Sequence, residues 1–494
     1  MTNTLFVAAT RVDFSFLAAS YGQGWPQKLG LPTSIPSFTL PIVSNGLPNF
    51  NGTAGYRAYT NPQVADTAMK VIRTHTISFG VDWRKNIGSN AQMNAPSGSF
   101  NFPSTLTGNP QVPTGTGSTY ATYLLGAVGS AVLTATTGET DRSFDMSAFV
   151  QDDWKVSGRL TVNAGLRYDY QQQPYEQNNG YSNFNLAARD PVNGFLGSME
   201  YATVGGFGRN FVKENYDDFS PRIGFAYSVT KSSKTVLRGG YGIYYPLTYN
   251  SLYTGSTQGF STTSTVYNPP GNNTNYPAFQ FSQGVPYPEL KPLGAGYGPS
   301  GFLGGTVTST PAKSPTPMSQ QWTLTLEQQL PKNIVAQGTW AVNEGSDFVA
   351  GGYNMNQINP TYLSLGQSLE DQVPNPYAGK VPGALGAPTI SRQQSLLPFP
   401  YYSSVNIANP HDGGYNGQYF ELTVEKQYQN GLMTYFGYTA GKLLDGSIAA
   451  PLAFLSSATS LTGYQNVYDR GAEFSLDPTD VSQRATIRFL DRNS

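Results

Sequence analysis

SFDMSAFVQDDWKVSGRLTVNAGLRYDY, residues Ser143 to Tyr170, holds two runs of two-residue periodicity joined by a few turn-forming residues. From Leu160 the even positions Leu160, Val162, Ala164, Leu166, Tyr168 and Tyr170 are apolar or aromatic, while Thr161, Asn163, Gly165, Arg167 and Asp169 are polar or Gly. Such alternation places one set of side chains on each face of a β-strand. The upstream run keeps the parity, with Phe144, Met146, Ala148 and Val150 against Asp145, Ser147 and Gln151; Phe149 breaks it. A turn centred on Ser157 sets Val150 opposite Ala164, Ala148 opposite Leu166 and Met146 opposite Tyr168, so both apolar sets share one face. The run from Leu160 exceeds the ~5 to 6 residues of an ordinary strand and matches the ~9 to 11 that a tilted strand uses to cross hydrocarbon. Trp154 at the turn end, and Tyr168 and Tyr170 at the other, stand where interfacial aromatic girdles sit. Taken alone, the hairpin fits a soluble β-sandwich as well as a membrane wall.

Outward from this hairpin the pattern recurs. Strands are expected at about Tyr59 to Ala68 and Arg73 to Trp83, joined near Lys70, with His75, Ile77, Phe79, Val81 and Trp83 on one face. In DFSPRIGFAYSVTKSSKTVLRGGYGIYY a turn centred on Ser232 pairs odd positions with odd and sends Arg222 and Arg238 to the opposite face; Tyr245 closes the strand as a girdle residue. In QQWTLTLEQQLPKNIVAQGTWAV a turn centred on Pro331 sets Trp322 opposite Trp340, far from the turn, with Glu327 on the polar side. GQYFELTVEKQYQNGLMTYFGYTAGK turns at Asn430-Gly431, and a last strand begins at Arg484. Arg11 to Phe16, RVDFSF, reads as the end of a strand whose partner is missing. The total is about twelve strands.

The connections separate the two fold classes. Those near Ser157, Ser232, Pro331 and Asn430 take a few residues, whereas those between hairpins take tens, rich in Gly, Pro, Asn and Tyr. Short turns at one end and long loops at the other are the sidedness of outer-membrane barrels, and a soluble sandwich has no reason for it. The fold class is therefore all-β, an antiparallel transmembrane β-barrel with long extracellular loops. Only 38% of the 494 residues are hydrophobic, which a barrel tolerates because every second strand residue alone meets lipid. Residues Tyr120 to Thr137, YATYLLGAVGSAVLTATT, are too rich in Gly, Thr and Ser for a spanning helix of about 20 apolar residues.

Composition excludes several function classes. A net charge of -1 removes the electrostatic case for a nucleic-acid partner. No Cys and two His, His75 and His411, leave no thiolate site and no His-rich metal centre. Leu5 to Ala9 is apolar, but no basic segment precedes it and no cleavage site follows, so it is not a signal peptide. The expectation is a chain that begins inside a longer protein.

The ordered set of hairpins resembles the barrel of TonB-dependent outer-membrane receptors of the Oar-like branch, which usually carries a carboxypeptidase-regulatory-like N-terminal domain. The resemblance rests on HTISFGVDW at His75 to Trp83, FVQDDWKVSGRLTVNAGLRYDY at Phe149 to Tyr170 and FSPRIGFAYSVTKSSKTVLRGGYGIYY at Phe219 to Tyr245. QQWTLTLEQQL at Gln320, NQINP at Asn356 and the Tyr415 to Lys442 hairpin follow in family order. It implies a bacterial outer-membrane barrel of about 22 strands, filled by a plug and energised through a periplasmic TonB complex. Against that pattern residues 1–494 read as a barrel fragment, without plug, N-terminal domain or closing strands, so a TonB partner is expected for the full-length protein only. Outer-membrane lipid is the partner of the wall itself.

No cofactor or catalytic site is expected. Asp152 and Asp153 are adjacent on a strand and point to opposite faces, which fits a structural role near the turn. Gly239, Gly240 and Gly242 lie inside a strand with no helix after them, so they relieve crowding or bend the wall and do not cradle phosphate. His75 reads as interfacial or structural. Arg167, Asp169, Arg222, Arg238 and Glu327 are the lumen-facing candidates, pairing with one another or packing on a plug. Trp154, Tyr168, Tyr170, Tyr245, Trp322 and Trp340 form the candidate aromatic girdle. The functional expectation is part of a TonB-dependent receptor and transporter of unknown substrate; the alternative is a surface binding or adhesion protein that uses the barrel as an anchor.

Overall fold

The alternating segments pair in chain order into one curved antiparallel sheet. The computed structural model describes residues 1–44, 52–112, 115–246, 256–429, 432–446 and 464–491. Twelve long strands follow one another as an up-and-down meander. They are β1 (Thr2–Leu17), β2 (Ala54–Ile72), β3 (His75–Met93), β4 (Glu139–Ser157), β5 (Leu160–Gln171) and β6 (Phe219–Ser228), then β7 (Thr235–Tyr244), β8 (Met318–Leu330), β9 (Ile334–Phe348), β10 (Gly413–Gln429), β11 (Leu432–Gly446) and β12 (Gln483–Asp491). Among the described residues no strand pairs with the free edge of β1 or of β12.

Parity sorts the two faces. Apolar side chains form rungs across the sheet: Val81, Ala148, Tyr168 and Phe219 lie opposite one another on β3 to β6. Leu237, Leu326, Gly338, Leu422 and Tyr438 do the same on β7 to β11. This face is open to the surroundings: Val81 is 58%, Val150 51% and Leu326 52% exposed. Polar groups also stand on this face, and some of them are paired. Asp66 accepts from Asn3 at 2.8 Å, and His75 lies 2.6 Å from Asp152 beside the β2–β3 and β4–β5 turns.

Register departs from the sequence reading in four places. RVDFSF is not the end of a partnerless strand; it belongs to the 16-residue β1, whose Thr2 opposes Met69 and whose Leu17 opposes Ala54 of β2. The turn after β2 falls at Arg73 and Thr74, not near Lys70, because Arg73 takes a positive φ of 53° and lets the strands run on to Ile72 and His75. In the β4–β5 hairpin Met146 opposes Tyr170, Ala148 opposes Tyr168 and Val150 opposes Leu166; a bulge between Lys155 and Ser157 slides the pairing by two residues and leaves the faces unchanged. In the β8–β9 hairpin Trp322 opposes Val342 and Trp340 opposes Leu324, since Lys332 (φ 62°) and Asn333 (φ 57°) lengthen the loop beyond a turn centred on Pro331. The β6–β7 register is as expected from a turn centred on Ser232, with Ile223 opposite Tyr241. The Asn430-Gly431 turn lies outside the described residues.

Phe149, the parity exception, has its ring over Gly80, its partner across the ladder; a Cβ on Gly80 would stand 2.7 Å from that ring. Gly239 serves Phe225 in the same way, at 2.5 Å. No helix among the described residues is long and apolar enough to cross a membrane. The Tyr120 to Thr137 stretch divides into a short helix, Thr119–Leu124, capped by Ser118, and the strands Ala127–Val128 and Ser130–Thr136.

Two clusters of buried hydrophobic residues lie in the long connections. In a first cap Ile35, Phe100, Phe102, Val128, Leu133, Tyr267 and Phe279 pack together, drawn from the connections after β1, β3 and β7. A second cap joins Phe184, Met199, Tyr201, Val307, Val381, Phe399, Tyr402 and Val405, from those after β5, β7 and β9. The connection from Tyr245 to Pro317 contributes to both.

Candidate functional site

The polar face of the wall carries a series of hydrogen-bonded groups. Gln63 Nε2 donates to Asp82 Oδ2 at 2.7 Å, and Arg84 Nη2 donates to Gln63 Oε1 at 3.2 Å. Asn86 Nδ2 donates to Asp145 Oδ2 at 2.8 Å, and Arg167 Nη2 to Ser147 Oγ at 2.7 Å. All lie on the face opposite Val81 and Val150, as period-two alternation requires.

The five charged candidates share this face. Arg167 is paired with Asp169, Nη2 to Oδ1 at 2.8 Å, and Asp169 is buried. Arg238 Nη1 reaches Glu327 Oε2 at 2.7 Å across the β7–β8 ladder. Arg222 has no ion pair among the described residues and rests over the Tyr244 ring at 4.5 Å. Around it Gly165, Gly224, Gly240 and Gly242 leave a groove of about 260 Å³, walled by Gln151, Asn163, Gln321 and Thr323. A Cβ on Gly224 or Gly240 would meet nothing closer than 3.5 Å, so these glycines keep the groove shallow and bare their backbone. The groove can take a polar chain segment or solute. It brings together no nucleophile, base and orienting group, and no cluster of His, Asp and Glu able to hold a metal exists among the described residues.

The aromatic candidates take the opposite face. Trp154 stacks on His75 at 5.3 Å near the short turns, and Tyr168 packs on Phe219 at 4.9 Å toward the other end. Tyr170 stacks on Tyr216 at 5.4 Å, so one ring of the expected girdle is covered by a loop residue. Trp322 lies 6.2 Å from Tyr241, and Trp340 is exposed. Tyr245 falls just beyond the end of β7, half-buried.

Sequence reasoning missed the outer mouth. Residues 314–317, of sequence SPTP, pass beside Ser143 and Gln171 of β4 and β5 and beside His411, whose Nδ1–H donates to Pro315 O at 2.7 Å. Thr316 Oγ1 donates to Asp218 Oδ2 at 2.7 Å, and burial raises the Asp218 carboxyl above its ordinary range. A second knot ties the connection after β5 to the outer end of β4. Glu176 lies directly opposite Asp141 in a short ladder, and both are buried. The Glu176 carboxylate accepts from the backbone N–H groups of Thr140, Asn178 and Gly180, while Asp141 accepts from the Tyr181 hydroxyl at 2.5 Å. Burial, with Glu139 and Glu176 nearby, pushes Asp141 up to about 7. Nothing in the sequence pattern marks either knot, since each joins residues about 30 to 100 positions apart without periodicity.

Residues 1–490 match the family described as "Outer membrane beta barrel domain". No curated protein matches the chain. Solved structures similar to it include the outer membrane transporter YddB from Escherichia coli, at 10% identity and a TM-score of 0.41 over 80% of this chain and 34% of that one. The FrpB iron transporter from Neisseria meningitidis (F3-3 variant) matches at 9% and 0.33 over 79% and 36%. The ferric-catecholate import receptor Fiu from E. coli K12 matches at 11% and 0.35 over 90% and 43%. The chain spans between a third and a half of the length of these structures.

Proposed function

We propose that this chain, which belongs to the outer membrane β-barrel domain family and resides in the bacterial outer membrane, forms part of the wall and outer mouth of a TonB-dependent receptor of the Oar-like branch. One observation carries the reading: a twelve-strand meander with an apolar outward face, an ion-paired polar face, short turns at one end and folded caps at the other. The apolar face meets lipid, and Arg167, Asp169, Arg222, Arg238 and Glu327 line the lumen. Unpaired N–H and C=O groups cost several kcal/mol each in hydrocarbon, by about the same measure as any orphaned polar group, so further strands complete the barrel on the free edges of β1 and β12. Capture at the caps followed by passage along the polar face is the transport scheme; its substrate is a solute too large for passive pores. The caps support a second reading, a surface binder anchored by the barrel, because among the described residues they form folded, apolar-cored structures at the long-loop end.

The test uses the full-length protein in cells. Transport predicts uptake of a solute that stops when the proton-motive force is collapsed, with surface binding retained. Binding with no energy-dependent uptake of any bound solute favours the anchor. Absence from the outer-membrane fraction overturns both.

A further inference from the structure

Charge is distributed unevenly between the two ends of the wall. Each described short turn carries a cation and no acid: Arg73 after β2, Arg159 after β4, Lys231 and Lys234 after β6, and Lys332 after β8. The six long connections, by contrast, carry nine Lys and Arg against fourteen Asp and Glu. All five turn cations are exposed, and none forms an ion pair among the described residues. On the polar face the chain does neutralise its arginines, with Arg167 on Asp169 and Arg238 on Glu327. The nearby Asp152 is held by His75 and Trp154 stacks on that imidazole, so the outward rim combines an aromatic edge with unpartnered positive charge.

We propose that the turn end of the wall recruits anionic phospholipids from the periplasmic leaflet, through Arg73, Arg159, Lys231, Lys234 and Lys332. The spacing favours separate headgroups over one polyanionic ligand. Neighbouring hairpins stand about 10 Å apart, two strand spacings, so the cations form an open arc and not a pocket. Long Lys and Arg side chains just beyond an apolar band extend to the phosphate level, where each surface cation gains from negative lipid. The proposal rests on the membrane-wall reading and goes beyond it in assigning a lipid preference.

The test is lipid association of the full-length protein, purified from outer membranes and reconstituted in phosphatidylcholine nanodiscs carrying spin-labelled phosphatidylglycerol or spin-labelled phosphatidylcholine. The expected result is a roughly fivefold preference of the motionally restricted shell for phosphatidylglycerol at low salt, lost at about 1 M salt. Replacing the five cations by Gln removes the preference while heat-modifiable gel mobility is retained, and Arg73→Lys with Arg159→Lys keeps it. Equal restriction of both lipids overturns the proposal and leaves the wall reading intact, as does a preference that survives the five-Gln variant. Restriction of neither lipid overturns the wall reading itself.

Discussion

The wall and the caps solve opposite packing problems in one chain. Wall strands turn Val81, Val150, Leu326 and Trp340 outward and expose them, whereas the caps bury Phe100, Phe102, Phe184 and Tyr402 almost completely. Burying an aromatic or aliphatic side chain yields ~1.5 to 3 kcal/mol when water is the alternative. The caps draw on that term by themselves; the wall draws on it when lipid covers its outer face. The contrast teaches that the molecule has two solvents, and that the same residue types are stabilising in each for different reasons.

The largest expected effect separates the two regions by cavity formation. Phe184→Ala should cost the second cap about 3 to 5 kcal/mol, read as rapid proteolysis within residues 182–201, while heat-modifiable mobility of the wall is unchanged. Loss of both signals together would merge wall and caps into one cooperative unit. Next comes the wall: Leu324→Arg places a charge on the lipid face and should destabilise the reconstituted protein by about 2 to 4 kcal/mol, while Thr323→Arg on the polar face is nearly neutral. Similar values for the two variants would erase the distinction between faces.

A third prediction concerns the seam where cap meets wall. Asp141 is protonated in the docked loop up to about pH 7 and titrates near 3.8 when free, so docking is strongest below 3.8 and weakens as pH rises to about 7. Hydrogen exchange of residues 176–182 should report protection that falls steadily across that window, and Asp141→Asn should flatten the profile. A profile identical in wild type and Asp141→Asn would remove the proton from the account. The smallest effect belongs to the polar face, where Glu327→Gln breaks a half-exposed pair with Arg238 and should cost only about 0.2 to 1 kcal/mol in unfolding of the reconstituted protein.

How much of this was legible follows from the same division. Alternation from Leu160 to Tyr170 is written into the sequence because lipid and lumen impose it residue by residue, so faces and strand number could be read directly. Register was less legible. Both two-residue slips arise at turns, from the bulge after Lys155 and the left-handed Lys332 and Asn333, which shift pairing without changing parity. Only the Arg11 to Phe16 end of the 16-residue β1 was read, and its partner was not identified, because that partner lies across a long connection and the apolar pattern of β1 is irregular. Caps left no periodic signal at all: Phe100, Val128 and Tyr267 meet from distant connections. Among the candidate residues, alternation placed Arg167, Asp169, Arg238 and Glu327 on one face, but the Asp141–Glu176 knot depends on a two-residue ladder that no local pattern announces.

The chain has no Cys, which allows single cysteines to be read one position at a time. Cysteines at 161 to 166, labelled with a fluorophore in the reconstituted full-length protein, should alternate in quenching by brominated lipid. Strong quenching is expected at positions 162, 164 and 166, and protection from lipid at 161, 163 and 165. Uniform quenching along the strand, or none at any position, would contradict a wall whose two faces meet lipid and water.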